Sequence, residues 1–255
     1  EEEAGLGAKS DSDLRELQSF NHLQYCAGRA ISFCDWQPHT KDLVVGVSCM
    51  QRLSFEERVL VAGQVHTGYI LLWNFSDPIH PQFVLEAPGD VRCFRFCPSD
   101  ANIVVGGISS GQIVVWNLAD AREQAREIKS ITGELAEEGG SNTIVAKPVM
   151  ISAVDLSHRN VVSDIEWLPT TLEISERGKI VRKADSGEQH QFLTVASDGQ
   201  LLFWDVRKIE ELKDETAKDE KHKKEGWGPL YRFHMTHPDS SNETSPVHVI
   251  LEVPE

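Results

Sequence analysis

The sequence lacks the features that mark membrane, secreted and nucleic-acid-binding proteins. It has no run of about 18 apolar residues, which a transmembrane helix requires, and it opens on Glu1-Glu2-Glu3, the opposite of a basic signal-peptide start. Basic residues are scarce: 25 Lys and Arg stand against 40 Asp and Glu, so the net charge is −15. Such a charge disfavours nucleic acid, anionic membranes and direct docking on an acidic polymer. We therefore expect no nucleic-acid and no membrane partner.

The cysteine and histidine patterns predict no metal site. Five cysteines, at positions 26, 34, 49, 93 and 97, form an odd and scattered set, which indicates reduced thiols in a cytosolic compartment. Cys93 and Cys97 lie on one predicted strand, about 13 Å apart at about 3.3 Å per residue, too far to share a zinc ion. We expect both to fill the core. His234 and His237 share a segment that has no cysteine or suitable carboxylate.

Enzyme and cofactor motifs are missing as well. The sequence contains no Cys-x-x-Cys and no His-Glu-x-x-His pattern. Gly106, Gly107 and Gly111 fall inside a predicted hairpin and not between a strand and a helix, so they do not form a phosphate-binding loop. Paired carboxylates occur only in runs of charge, which are typical of solvated surfaces. We therefore predict a protein that is not an enzyme, with no catalytic residues and no cofactor or metal.

What the sequence does contain is an internal repeat. Three segments end alike, at Trp73, Trp116 and Trp204, of which the first two are 43 residues apart and the third lies 88 residues further on. An apolar run precedes each segment, and before that run lies an element that ends in an aromatic residue, one further residue and proline. The aligned segments are Gly68-Tyr-Ile-Leu-Leu-Trp73-Asn74, Gly111-Gln-Ile-Val-Val-Trp116-Asn117 and Gly199-Gln-Leu-Leu-Phe-Trp204-Asp205.

A period near 43 residues, with short β-rich elements and a Trp-Asp-like ending, is typical of WD40 propeller blades. Each unit offers four short strands that are apolar on both sides, and only radial stacking of blades buries them. The three tryptophans are predicted to end the third strands and to pack between blades. Gly68, Gly111 and Gly199 are predicted to supply the positive φ of the turn before those strands. The fold class is therefore all-β, a WD40 β-propeller with helical and loop insertions.

The third unit contains a candidate polar network. Its Ser157-His158 stands where Gly-His is usual in such blades. By resemblance, His158, Asp198, Trp204 and a strand hydroxyl, that of Thr194 or Ser197, would form the buried hydrogen-bond network of a WD40 blade. A His–Asp–Ser set also suggests a hydrolase. In a blade, however, such a set orders a turn and does not face a cleft with an oxyanion hole, so we predict a structural role.

The first two units lack this histidine. Ala27 and Ala87 occupy its position. The turns of these units must therefore be held by other residues.

Three blades cannot close a ring, because propellers have about four to eight. We therefore expect about three blades of a larger ring of seven or so, over residues of about 30–85, 86–158 and 159–235. Within 14–206, residues 14–30 resemble the outer strand and connector of an earlier blade. Residues 1–13 are predicted to be an acidic disordered lead-in, 207–228 a charged helical insertion, and 229–255 an outer strand and the start of a next blade.

Three insertions interrupt the third unit, one of which is the charged stretch that begins at residue 207. The first half of residues 119–147 is rich in Ala, Glu and Arg and predicts a helix, while its second half, with Gly139-Gly140-Ser141-Asn142, predicts a loop. Residues 170–190 predict a polar hairpin. Each insertion is expected to be either a solvated surface decoration or a partner-specific arm, because loops on a rigid scaffold commonly carry recognition.

Several stretches resemble the dynein intermediate chain family. Residues 34–39, Cys-Asp-Trp-Gln-Pro-His, with 42–46, Asp-Leu-Val-Val-Gly, look like the first regular blade of that family. Residues 102–107, Asn-Ile-Val-Val-Gly-Gly, with 110–116, Ser-Gly-Gln-Ile-Val-Val-Trp, are similar to it too, and 94–98 fit the preceding strand. Residues 162–169 and the long insertions look most like the larger intermediate chain of the two-headed axonemal inner arm. The resemblance covers about residues 14–209.

The resemblance implies a non-catalytic scaffold subunit of an axonemal inner-arm dynein, in the cytoplasm and the axoneme of a cilium or flagellum. Its propeller would bind the tail of a dynein heavy chain and act beside a second WD40 intermediate chain. Dynein light chains would bind through a region outside this sequence. Microtubule association would be indirect, given the acidic charge. The resemblance marks no partner-binding residues.

Two alternatives remain open at the level of sequence. One is a cytoplasmic dynein intermediate chain, which the long insertions at 119–147 and 170–190 disfavour. The other is a general WD40 adaptor, such as a ubiquitin-ligase substrate receptor or an actin-regulatory scaffold.

Overall fold

The computed structural model describes residues 16–41, 43–61, 63–64, 66–132, 143–184, 187–218, 226–236, 239 and 244–252. The predicted lead-in over 1–13 and the predicted loop at 139–142 lie outside these residues. The described residues form strands β1 (Arg29–Trp36), β2 (Val44–Gln51), β3 (Gly68–Asn74), β4 (Phe83–Ala87), β5 (Val91–Phe96), β6 (Ile103–Ile108), β7 (Ile113–Asn117), β8 (Ile144–Ala146), β9 (Met150–Ile151), β10 (Val162–Trp167), β11 (Leu172–Ile174), β12 (Ile180–Arg182), β13 (Gln191–Ala196), β14 (Gln200–Asp205) and β15 (Tyr231–His234), with helices α1 (Leu23–Cys26), α2 (Phe55–Leu60), α3 (Ala119–Thr132) and α4 (Arg207–Lys218).

The strands form three antiparallel blades of a WD40 propeller, which confirms the predicted all-β class. The first blade has the order β1-β2-β3-β4, the second β5-β6-β7-β9 and the third β10-β13-β14-β15. Each innermost strand, β1, β5 and β10, is irregular near its start, where the pairing register shifts between Ile31 and Phe33, Val91 and Cys93, or Val162 and Asp164. Such a bulge increases the local twist of a strand, and it recurs at the equivalent position in all three blades.

The apolar core lies between neighbouring blades. One cluster joins β2, β3 and β4 of the first blade to β5, β6 and β7 of the second, and another joins the second blade to the third. The middle strands are buried on both faces, which explains why β6, β7 and β13 are apolar runs without alternation. Cys93 and Cys97 are buried in the second cluster, as expected of core fillers, and all five cysteines are free.

The outer face of the first blade is covered by the chain that precedes it. Phe20 lies 5.6 Å from the ring of Trp73, and Tyr25 lies 5.3 Å from the ring of Tyr69. The prediction of an outer strand within residues 14–30 is wrong for the described part of that range before β1, which contains the short helix α1 and no strand. Aromatic side chains, rather than a backbone ladder, cover the apolar face here.

The insertion over 119–147 fastens two blades together. Helix α3 follows β7 of the second blade, and β8 then pairs in parallel with β4 of the first blade, so the first sheet has a fifth strand. Ala121, Ile144 and Ala146 enter the core cluster between the two blades. The helix of the first half was predicted correctly. The expectation of a solvated decoration was wrong, because the apolar side of the insertion supplies core contacts.

The remaining insertions belong to the third blade. Residues 170–190 contain the predicted hairpin, β11 paired with β12. The predicted charged helix is α4, but the range assigned to that insertion, 207–228, also includes Trp227. This residue is buried, and its ring lies tilted 4.8 Å from the Trp204 ring. That assignment was wrong at its end, since Trp227 belongs to the core cluster between the second and third blades.

The chain after β15 returns to the inner edge of the third blade. The Val249 amide donates to Asp164 Oδ2 at 3.1 Å, and the Ser245 hydroxyl donates to the Ser197 carbonyl at 3.2 Å. Residues 244–252 therefore lie beside β10, where an innermost strand of a next blade would lie. Within the described part of the chain, no helix is long and apolar enough to cross a membrane.

Candidate partner-binding face

The predicted polar network of the third blade is formed by His158, Asp198, Thr194 and Trp204. His158 Nδ1 lies 3.2 Å from both Asp198 oxygens, and its Nε2 lies 2.8 Å from Thr194 Oγ1. The Trp204 indole donates to the same hydroxyl at 2.9 Å. Of the two hydroxyls considered, the geometry selects Thr194. The other, that of Ser197, lies outside the strand, in the turn to β14.

This network is closed and buried, so it has no free group for chemistry. Asp198 also accepts from the backbone amides of Arg159 and Gln200, at 2.9 and 3.1 Å. A neutral His158 satisfies every bond: Nδ1–H donates to Asp198, and Nε2 accepts the Thr194 hydroxyl proton. Burial lowers the pKa of His158, against the opposing effect of Asp198. The set therefore ties the loop before β10 to the turn between β13 and β14.

The lowered pKa of His158 gives a pH-dependent stability. The unfolded chain binds this proton near pH 6.5 and the folded chain only at lower pH, so stability falls as pH decreases below about 6.5. We expect His158→Gln to lower the free energy of unfolding by about 1–3 kcal/mol at pH 7.5 and by less at pH 5. Urea unfolding of both proteins across this pH range measures the difference between their free energies of unfolding. A difference that stays constant from pH 7.5 to pH 5 would contradict a buried neutral histidine.

An unpredicted residue, Asp90, holds the turns where Ala27 and Ala87 replace histidine. Its carboxylate accepts from the Gln51 amide of the first blade at 3.1 Å, and its carbonyl accepts from the Ser109 amide of the second blade at 2.9 Å. His66 Nε2 stands 3.3 Å from the same carboxylate but without hydrogen-bond geometry. In the sequence Asp90 stands alone after Pro88-Gly89, outside the repeat pattern, so its role was not readable there.

The three repeat tryptophans have different surroundings. Trp116 lies in the core between the first and second blades and donates to the Glu86 carbonyl at 2.8 Å. Trp204 lies in the core between the second and third blades. Trp73 packs on the outer face of the first blade against Phe20. Two of the three therefore pack between described blades, and the third faces the N-terminal segment.

The three repeat glycines also differ from one another. Gly111 and Gly199 have positive φ, +87° and +73°. Gly68 does not, so the prediction of a positive φ at this position was wrong. A Cβ at Gly68 would overlap the carbonyl oxygen of Gly89, and one at Gly111 would overlap that of His158. The feature that Gly68 and Gly111 share is the close approach of the loop that leads into the next blade.

All three insertions of the second and third blades emerge from one end of the strands. Six strands run toward this end, namely β1, β3, β5, β7, β10 and β14. The connections that follow these strands carry α3, β8, the β11–β12 hairpin and α4. We call it the insertion face. Helix α2 lies in the connection between β2 and β3, at the opposite face. Because loops on a rigid scaffold commonly carry recognition, the insertion face is the candidate partner-binding surface.

A groove on the insertion face crosses all three blades. It has a volume of about 370 Å³ and lies where β1, β5 and β10 end. Trp36, 54% exposed, is one wall, and Trp167 is another. Burial raises the pKa of Asp35 and of Glu166, while Arg95 between the blades acts in the opposite direction on both. We call this the central groove.

Arg95 is held rigidly in the central groove. Its guanidinium stacks 4.7 Å above the Phe33 ring, and its Nε donates to the Ile165 carbonyl at 3.2 Å. Its Nη2 lies 3.7 Å from Asp164. Exposed tryptophan and pre-ordered arginine are the residue types that dominate binding energy at protein interfaces. The described residues contain no cluster of His, Cys, Asp and Glu that could hold a metal ion.

The architecture and the buried His–Thr–Trp network define a WD40-repeat protein, and comparison with known sequences shows the family to which it belongs. The family model described as "Dynein axonemal intermediate chain 3 WD40 domain" matches residues 12–253. Dynein axonemal intermediate chain 3 of Homo sapiens is 33% identical over 98% of this chain and 31% of its own length. Its Mus musculus counterpart is 38% identical over 81% of this chain and 24% of its own length.

Similarity extends to a further axonemal subunit. The Chlamydomonas reinhardtii "Dynein, 70 kDa intermediate chain, flagellar outer arm" is 25% identical over 76% of this chain and 26% of its own length. The chain spans between about a quarter and a third of the length of these relatives.

The chain belongs to the family of the WD40 domain of dynein axonemal intermediate chain 3. The relatives found are dynein intermediate chains that are axonemal or flagellar by name. This is a family of scaffold subunits and not of enzymes.

Proposed function

We propose that this chain is the propeller region of a non-catalytic scaffold subunit of an axonemal inner-arm dynein. Its insertion face binds the tail of a dynein heavy chain, beside a second WD40 intermediate chain, and so places the motor for ciliary or flagellar motility. Light chains bind through a region outside this sequence, and attachment to microtubules is indirect. The observation that carries the proposal is family membership over residues 12–253.

Two observations support the inner-arm assignment. Identity is 33–38% to dynein axonemal intermediate chain 3 and 25% to the outer-arm chain of Chlamydomonas reinhardtii, which disfavours an outer-arm chain. The stretch Val162–Pro169 and the long insertions also resemble the larger chain of the two-headed inner arm. The same insertions disfavour a cytoplasmic dynein chain.

The central groove supports the choice of the insertion face for the heavy chain. Trp36 projects there beside the ordered Arg95, and both neighbour the ends of the three innermost strands. A partner side chain that enters this groove would cover an exposed indole and displace water from a concave surface. Binding of this kind concentrates its free energy in a few central residues.

The test is to tag the full-length protein in ciliated cells and to identify by mass spectrometry what co-purifies from salt-extracted axonemes. We expect inner-arm heavy chains and a second WD40 intermediate chain. Cytoplasmic heavy chain with cargo adaptors would assign the protein to cytoplasmic dynein. Recovery of ubiquitin-ligase or actin-regulatory partners without any dynein subunit would leave a general WD40 adaptor.

A point substitution tests which face binds the heavy chain. We expect Trp36→Ala to lower heavy-chain recovery at least tenfold, which corresponds to a loss of about 1.4 kcal/mol or more. Phe55→Ala is the matched control, because Phe55 is an exposed aromatic residue of α2 at the opposite face. Loss of the heavy chain with Phe55→Ala and not with Trp36→Ala would move the binding site to the opposite face.

A further inference from the structure

A second concave site lies on the insertion face, away from the central groove. It is a cleft of about 360 Å³ between the connection from β1 to β2 and the first two turns of α3. Its floor is Val44 and Phe83, and apart from Ala125 of α3 its walls are polar or charged. The insertion over 119–147 creates this cleft, because one wall is α3 itself. We call it the α3 cleft.

The charge of the α3 cleft is opposite to that of the chain. His39 and Lys41 line one wall, and Arg122 and Arg126 line the other. The two arginines are four residues apart on α3, so they occupy the same side of the helix. No carboxylate lines the cleft among the described residues. The cleft is thus a cationic spot on a chain whose net charge is −15.

These cations are not neutralised by ion pairs within the described part of the chain. The ion pairs found among the described residues do not involve Lys41, Arg122 or Arg126. Burial lowers the pKa of Arg122, and the neighbouring Arg126 acts in the same direction, while Asp100 opposes them. The Arg122 guanidinium donates to the Ala101 carbonyl at 3.4 Å, which holds it in place. The charges therefore remain available to an anionic ligand.

We propose that the α3 cleft binds an acidic segment of a partner protein. Its two cationic walls face an apolar floor, and the Gln82 amide at the edge is suited to a peptide backbone. This combination fits a short peptide that carries carboxylates and apolar side chains. A long polyanion such as nucleic acid would be repelled by the rest of the acidic surface. Charge complementarity of this kind sets specificity and the association rate.

The test measures binding of a fluorescein-labelled peptide of alternating Glu and Leu to the full chain by fluorescence anisotropy. We expect Lys41→Ala with Arg126→Ala to weaken binding at least tenfold. The matched control, Arg177→Ala with Lys179→Ala, removes the same charge from the exposed β11–β12 hairpin of the same face and should change binding less than twofold. Raising the salt concentration should weaken the wild type more than the cleft variant.

Three results would overturn the proposal. The first is equal weakening by both double variants, which would indicate general electrostatics. The second is the absence of peptide binding. The third is competition by inorganic phosphate at the same charge concentration as the peptide, which would indicate a simple anion site. Thermal unfolding of each variant checks folding, and Arg126→Lys, which keeps the charge, should retain binding. The outcome does not depend on the identity of the heavy-chain partner.

Discussion

Trp204→Ala is expected to destabilise the protein by about 3–5 kcal/mol, which is a large part of the stability of a typical domain. Trp204 is fully buried between the second and third blades, stacked on Phe192 at 6.3 Å and in tilted contact with Trp227 at 4.8 Å. Alanine leaves a cavity. It also removes the indole N–H that donates to the Thr194 hydroxyl, so this hydroxyl keeps only His158 as a side-chain partner. Urea unfolding followed by circular dichroism measures the loss.

Two further variants separate the loss of buried ring volume from the loss of the indole N–H and from the loss of an indole at the surface. Trp204→Phe keeps most of the ring volume and removes the indole N–H, so we expect a loss of about 1–2 kcal/mol. Trp36→Ala is the control for removal of an indole at the surface, because Trp36 is half exposed, and it should cost less than about 1 kcal/mol. If Trp204→Ala were no more harmful than Trp36→Ala, the packing of the third blade on the second would be refuted.

Alanine at Gly111 is expected to cost more than about 3 kcal/mol, because two effects combine there. The residue has φ of +87°, and a Cβ would overlap the His158 carbonyl oxygen. The overlapped atom belongs to the backbone, so it cannot move aside as a flexible side chain would. Relief requires a shift of the loop that enters the third blade, and this loop carries the buried histidine.

Two other glycines separate the two effects. Gly28 has φ of +66° with nothing within 4 Å of a Cβ, so alanine there should cost only the conformational strain of about 1–2 kcal/mol. Gly68 has no positive φ, but a Cβ would overlap the Gly89 carbonyl oxygen, so alanine there should cost more than at Gly28. The expected order of loss in urea unfolding is Gly111, Gly68, Gly28. A loss at Gly28 equal to that at Gly68 would mean that close approach between blades is unimportant.

The repeat was readable from sequence because its physical causes are local. Short apolar strands, turn glycines and a tryptophan at a fixed distance recur in each unit, and the pattern predicts strands, turns and blade type together. The third unit also predicted its polar network, since His158 and Asp198 stand at the spacing of a WD40 blade. The choice of Thr194 over Ser197 required the structure, because it depends on which hydroxyl lies between the two rings.

Other features were not readable because they join residues that are far apart in the chain. Strand β8 pairs with β4 of the first blade. In the sequence, however, β8 follows β7 of the second blade, with α3 and residues 133–142 between them. Asp90 links two blades through contacts with Gln51 and Ser109. A three-residue strand and a lone aspartate carry no periodic signal. Their roles appear only when the blades stack.

The sequence by itself determined the class: an acidic, all-β WD40 repeat protein that resembles dynein intermediate chains, with its insertions at 119–147 and 170–190. Composition and local periodicity carry that information. Tertiary structure alone decided that α3 and β8 fasten two blades, that Gly68 is required for space and not for its φ, and that Lys41 and Arg126 share a cleft. Each of these depends on distances between segments brought together by blade packing, and those distances leave no trace in local sequence order.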